Sequence, residues 1–419
     1  MAIVDYTRAR IAAALEEIGR LMQSEFPSQH PKDAIDILQG RFAKRASVLN
    51  KIGPNVPIPV LQTECIASLE QLLVYVPILG FVLRSTNVRN GFEAYGPLLH
   101  LAESLMGAQT KLIVSSEWEF SPFVYRSITD LPGFVLIGLP ATESSNPLVI
   151  PLAGHELGHS VWERNRLAGD FNSRIRQSIL KEITDNRWNE YQDLFPQHKK
   201  DDLDGNWLGE LTWQPALKWS LLQAEEMFCD FLGVRLFAES FLYAFAYLIA
   251  PGTGGERSVG YPNIKRRVSN LTEAANLLDV TIPPGFTDDF MPENEPTNPT
   301  TAFLVSVADT VTSQCASDLL ETAQKEADDK ACPGRSAERV DRIADGFKRL
   351  LVPTADSEAL VDITCAGWKC YLDKDLWVGI RQIKPNDWGR VLKDLVYKSM
   401  EVSEVSWRLE KAQHSREHS

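Results

Sequence analysis

The chain has 419 residues, 44% of them hydrophobic and 24% charged, the balance of an ordinary globular protein with two or three structural units. Wholesale disorder, a collagen-like repeat and a disulfide-stapled miniprotein are excluded. Lys and Arg number 43 against 56 Asp and Glu, a net charge of −13, so the overall electrostatic footprint of a nucleic-acid binder is missing.

Met1 to Arg10 has no apolar run behind its charges and does not read as a signal peptide. It reads instead as an amphipathic helix, with Ile11, Leu15, Ile18, Leu21 and Met22 at helical spacing. Residues 4–110 are expected to be mostly helical. The longest apolar run, Leu72 to Leu83, is short for a bilayer, and Pro77 and Gly80 interrupt it; no membrane span is expected. Lys111 to Ser115 and Phe134 to Leu139 read as short strands. An aromatic loop with Trp118, Phe120, Phe123 and Tyr125 lies between them. A helix is predicted from near Pro151 to Asn165, another over 170–195, then a polar loop over 196–212. Pro215 is expected to open a long helix to about Ala250; Asp230, Arg235 and Glu239 inside it mark a buried soluble helix. Four glycines over 252–260 read as a mobile loop, and 264–278 as a helix. Residues 281–300 carry Pro283, Pro284, Pro292, Pro296 and Pro299 and read as a linker or long loop. Helices follow over 301–327, 335–351 and 386–412. The six cysteines show no zinc-knuckle pairing, and without an export signal they read as reduced thiols of a cytoplasmic protein.

The most informative residues are His155-Glu156-Leu157-Gly158-His159. On a helix, four residues at about 100° each bring His159 to within about 40° of His155, one turn along. Both imidazoles then point the same way and can grip one metal ion. Zinc takes neutral imidazole and keeps a fourth position open when three protein ligands bind. Glu156 beside them can serve as the general base for an activated water.

A third ligand is needed. A metzincin pattern would require Gly at 162 and His at 165, where this chain has Trp162 and Asn165. His100 and His198 stand in unrelated contexts. Glu226 and Asp230 share a face of the next long helix with Leu222, Cys229, Gly233 and Phe237, while Glu225 is expected to lean elsewhere. Carboxylates on an otherwise apolar stripe call for cationic partners. Glu226 can be the oxygen ligand, and Asp230 can hold the free ring nitrogen of a ligating histidine. Cys229 reads as a small core residue.

H-E-L-G-H followed by a helical E-x-x-x-D resembles the gluzincin class of zinc metallopeptidases, the thermolysin-like ligand set. The resemblance implies His155, His159 and Glu226 on zinc, Glu156 as base and Asp230 behind a histidine. Tyr261-Pro262 with Arg267 is similar to the His-Pro-x4-Arg segment of the CAAX-type prenyl endopeptidase family. There the His stabilises the oxyanion and the Arg anchors the site; here Tyr261 stands in place of the His, and a phenol can also donate to an oxyanion. In gluzincins an edge strand pairs with the substrate backbone, and Phe134 to Leu139 is the candidate. The likeness covers roughly residues 111–275. It departs from the pattern in the long gap from His159 to Glu226 and in lacking the membrane helices of the prenyl endopeptidases.

The expected fold is mainly α with a small β-sheet: an N-terminal helical region (1–110), a zincin-like core (111–280), the linker (281–300) and a C-terminal helical region (301–419). The expected function is zinc-dependent hydrolysis of peptide bonds in a peptide or protein substrate. Two alternatives stand beside it. One is a regulatory or interaction protein with a latent or structural zinc site, whose helical flanks would suit a regulatory partner. The other is a zincin-like hydrolase of a non-peptide amide. No nucleic-acid role is expected.

Overall fold

The computed structural model describes all residues except 1, 54–55, 87–92, 120, 126–127, 129, 253–254, 354–356, 381 and 418–419, and only the backbone at 2, 202 and 414–417. Phe120 of the aromatic loop thus lies outside the described residues. The protein is mainly α-helical with one small three-stranded sheet. Its chain forms two compact units, residues 1–99 with 109–145, and residues 100–108 with 146–419. This division differs from the expected borders. The strands belong with the N-terminal helices, and the proline-rich segment lies inside the second unit.

In the first unit α1 (Ala2–Leu21), α2 (His30–Asn50) and α3 (Ile58–Arg84) pack on one another. They bury Ile11, Ile18, Ile35, Phe42, Tyr75 and Phe81. Helix α3 corrects one expectation. It runs unbroken through Pro77 and Gly80, and its 27 residues are long and apolar enough to cross a membrane, with 28% of its most apolar window buried. The border between the units falls within α4 (Tyr95–Met106).

Strands β1 (Lys111–Glu117), β2 (Phe123–Val124) and β3 (Phe134–Pro140) follow. β1 and β3 are buried along nearly their whole length, which explains their continuous Val, Ile and Leu content. They pair in parallel, Lys111 opposite Phe134, and β2 adds antiparallel on the other side of β3. The strand expected at the edge is therefore the central one. Ile137 and Gly138 have partners on both sides.

The second unit is built on a long helix. α5 (Ala153–Arg164) follows a buried 3-10 turn, Pro147–Leu152, that Asn146 caps by accepting from Leu148 N. α6 (Leu167–Lys181), a π-helical turn Glu182–Asn186 and α7 (Trp188–Leu194) occupy the stretch read as one helix. α8 (Trp207–Phe237) starts before Pro215, because the Asn206 side chain caps it through Leu208 N and the proline lies inside. It ends at Ala238, where φ is 49°, and α9 (Glu239–Ile249) continues. α10 (Ile264–Leu277), α11 (Pro299–Gln314), α12 (Ala316–Asp329) and α14 (Leu360–Tyr371) all pack on α8; α13 (Ala337–Lys348) packs on α14, as does α15 (Trp388–Glu417). α14 had not been expected. From Gln223 to Val234 every residue of α8 is buried, Glu225, Glu226 and Asp230 among them, so these carboxylates must find partners inside the protein.

Segment 281–300 is a loop but not a separating linker. Phe286 and Phe290 are buried and pack on Phe245 of α9 with centroids 6.4 and 5.5 Å away. The glycine-rich loop before α10 is likewise pinned. Arg257 is buried, its guanidinium forms a two-point ion pair with Asp309, and its amide donates to Asn294 O.

Candidate metal centre

α5 lies against α8 more closely than ordinary side chains allow. A Cβ on Gly158 would stand 2.8 Å from Cys229 Cα, and one on Gly154 would stand 2.8 Å from the Phe237 ring. These glycines, one turn apart, let the backbones approach. His155 and His159 lie on the same side of α5 and therefore reach residues 225–230 of α8.

Each imidazole is tied through Nδ1. That of His155 donates to Asp230 Oδ1 at 2.8 Å, and that of His159 donates to Glu225 Oε1 at 2.7 Å. Both Nε2 atoms turn to Glu226, at 3.2 Å from Oε2 for His155 and 3.7 Å from Oε1 for His159. The rings are 4.9 Å apart and nearly perpendicular, at 83°. Arg267 of α10 grips Asp230 from behind, Nε to Oδ2 at 2.6 Å and Nη2 to Oδ1 at 2.7 Å. His155, Glu156, His159, Glu225, Glu226 and Asp230 are all buried.

No family model, curated protein or solved structure matches the chain.

The electrostatics follow from burial opposed by close partners. Burial would lower His155, but the hydrogen bond to Asp230 and the close Glu226 carboxylate carry it up to about 10 in the absence of metal. Burial would raise Asp230, yet Arg267 and then His155 hold it down at about 2. Glu226 is likewise pushed up by burial and brought below its ordinary value by the two histidines. In Glu156 burial wins: its carboxyl is raised, although the histidines pull the other way. Burial and four surrounding carboxylates push the Cys229 thiol well above its ordinary value.

His155, His159 and Cys229 form a buried group whose ligand atoms lie within 4.8 Å of one another and could hold a metal ion. Glu226 offers a second choice of third donor at the same place. Its Oε2 is buried and lies 3.2 Å from His155 Nε2, an ion-pair contact whose geometry leaves the oxygen without a hydrogen bond among the described residues. The chemistry of the surroundings fits a cation. Four buried carboxyl groups, those of Glu156, Glu225, Glu226 and Asp230, face one guanidinium and two imidazoles, and buried charge must be compensated.

The structure brings together His155, Glu156, His159, Glu226, Asp230 and Arg267 as named from the sequence. Tyr261 is 45% exposed. The Arg267 guanidinium lies over its ring at 5.6 Å, and its carbonyl accepts from Arg257 Nη2 at 3.0 Å. It thus joins the centre through Arg267 and Asp230. β3, expected to border the site, belongs to the first unit. His100 is engaged elsewhere, on Glu404 and Trp407. Glu225 corrects an expectation. It does not lean away but holds His159. A signal for it was present: a second ligating imidazole needs its own Nδ1 acceptor, and Glu225 adjoins Glu226.

Proposed function

We propose that this chain is a zinc-dependent metallopeptidase in which His155, His159 and Glu226 hold the ion and Glu156 is the general base. The observation that carries the reading is the convergence of both Nε2 atoms on Glu226, at 3.2 and 3.7 Å, while both Nδ1 atoms donate to carboxylates. An imidazole tied through Nδ1–H presents Nε2 as its ligand atom. Two nitrogens and one carboxylate oxygen, with a position left over, make up a catalytic zinc set rather than a closed structural one. The Glu226 oxygen left without a hydrogen bond among the described residues supports that carboxylate as third donor over the Cys229 thiol, which would have to lose its proton among four carboxylates. The same order of donors supports the likeness to gluzincins.

The ion, when bound, supplies Lewis-acid charge that polarises the scissile carbonyl and acidifies water. Glu156 adjoins a ligand on the same helix, and its raised carboxyl suits a group that takes a proton from the attacking water and returns it to the leaving amine. Asp230 and Glu225 fix the ring orientations, and Arg267 fixes Asp230. Tyr261 is the proposed donor to the negative charge that develops on the carbonyl oxygen.

The test compares zinc-loaded wild type with Glu156→Gln on a mixed peptide library. Wild type should cleave, and the variant should keep its zinc but lose activity by about 10²–10⁴-fold. Equal cleavage by both would remove Glu156 from the role of base.

A further inference from the structure

Helix α3 is packed on one side and bare on the other. Tyr75, Ile78 and Val82 are buried in the core that α3 shares with α1 and α2. At about 100° per residue, Ile66, Leu69, Leu73, Val76, Gly80 and Leu83 fall within about 60° of one line on the opposite side. From Ile66 to Leu83 this strip runs about 26 Å at 1.5 Å per residue. Ile66, Leu73, Val76 and Leu83 are exposed, Leu73 by 76%. No charged residue stands between Glu70 and Arg84. A helix side turned only to water would be polar there, so the strip marks a contact surface.

A second observation stands at the end of the strip. Arg84 bonds Glu117 of β1, Nε to Oε2 at 2.7 Å and Nη2 to Oε2 at 2.6 Å. The residue after Glu117, Trp118, is 84% exposed. An arginine and a bare tryptophan at the end of an apolar helix are side chains suited to the headgroup level of a bilayer.

Charge and side-chain type select the occupant. A second copy of this chain would bring its own net charge of −13 against the first, and like-charged surfaces repel. A charged partner would find no counter-charge from Gln71 to Leu83. Protein interfaces favour aromatic, Met and Arg side chains at their centre, whereas the exposed side chains of this strip are all aliphatic. Hydrocarbon asks for neither charge nor hydrogen bonds. We propose that the bare side of α3, with Trp118 at its end, docks the first unit onto the surface of a phospholipid bilayer. The helix lies in the interface rather than through it, because Tyr75, Ile78 and Val82 stay packed on the protein. Apolar burial drives the attachment, so it needs no anionic lipid.

The test is flotation of the full chain with phosphatidylcholine vesicles. The chain should float with the lipid, and raising sodium chloride to about 0.5 M should not release it, because salt screens charge and not apolar contact. Leu73→Asp and Val76→Asp, both at exposed positions, should each lower the partition coefficient about tenfold or more, and Trp118→Ala by about three- to tenfold. Leu409→Asp, at an exposed site on α15, should leave it unchanged, and thermal melts should show all four variants folded. A chain that stays in the soluble fraction would overturn the proposal, as would release by salt or binding indifferent to Leu73→Asp and Val76→Asp. Sedimentation without lipid provides the remaining outcome: a dimer that Leu73→Asp dissociates, in a chain that ignores vesicles, would assign the strip to a second copy and overturn the lipid reading.

Discussion

The first unit and the α5–α8 contact bury side chains of opposite kinds. α1, α2 and α3 close over aliphatic and aromatic groups such as Ile11, Phe42 and Phe81. α5 and α8 close over four carboxyl groups and two imidazoles, with Arg267 bonded to Asp230 behind them. The helical glycines differ in the same way. A Cβ at Gly19 of α1 or Gly40 of α2 would meet nothing within 4 Å, whereas one at Gly158 would press on Cys229. Apolar packing asks mainly for volume and is non-directional. The acid–imidazole contact asks for direction, because each hydrogen bond tolerates a narrow range of angle and distance. The first region should therefore absorb substitutions that the second cannot.

The largest effect is expected where a buried partner is removed. Arg267→Gln leaves Asp230 buried without its cation and should destabilise the protein by about 3–5 kcal/mol in urea unfolding. A loss under about 1 kcal/mol would mean that water reaches Asp230 and would break the contrast with the apolar unit.

The second effect is one of pH, read on chelator-treated protein. His155 is raised from its ordinary 6.5 to about 10. A raised imidazole stabilises fully below pH 6.5, and that contribution fades as pH climbs through about 10. Asp230 is lowered from 3.8 to about 2 and stabilises fully above pH 3.8, fading as pH falls through about 2. Together they place the most stable window of the metal-free protein between pH 3.8 and 6.5. Zinc must displace the His155 proton, so zinc loading should raise Tm more at pH 8 than at pH 5, roughly as ligand-proton competition requires. A zinc-induced shift that is the same at both values would contradict this coupling.

The glycines sharpen the comparison at smaller magnitude. Gly158→Ala sets a methyl group 2.8 Å from Cys229 Cα and should cost about 1–3 kcal/mol through overpacking. Gly40→Ala, exposed in the interior of α2 with open space around it, should stabilise by about 0.5–1 kcal/mol. Thermal melts of the two variants should move in opposite directions; movement in the same direction would erase the distinction.

What could be read from the sequence was what local periodicity encodes. His155 and His159 share a face at four-residue spacing, and Glu226 and Asp230 do so on an apolar stripe, so both helices could be placed before any contact was known. Glu225 could not. Which of two adjacent acids meets His159 depends on how α5 crosses α8, and that crossing is set by the close approach of Gly154 and Gly158 to Phe237 and Cys229. The burial of Phe286 and Phe290 was hidden for a similar reason. It depends on Phe245, far away in the chain, while proline content alone suggested a linker. β2 has two residues, too few to show any period. α8 was started late because Pro215 was read as an opening residue, when the cap lies at Asn206.

The central claim is that His155, His159 and Glu226 hold one zinc ion. The most direct test is elemental analysis of protein purified without chelators and dialysed exhaustively, wild type beside Glu226→Gln and Cys229→Ser. The account predicts about one zinc per chain in wild type and in Cys229→Ser, and a loss in Glu226→Gln of the order seen when a structural or catalytic zinc ligand is removed. Zinc near zero in wild type, or zinc lost with Cys229→Ser and kept with Glu226→Gln, would contradict it.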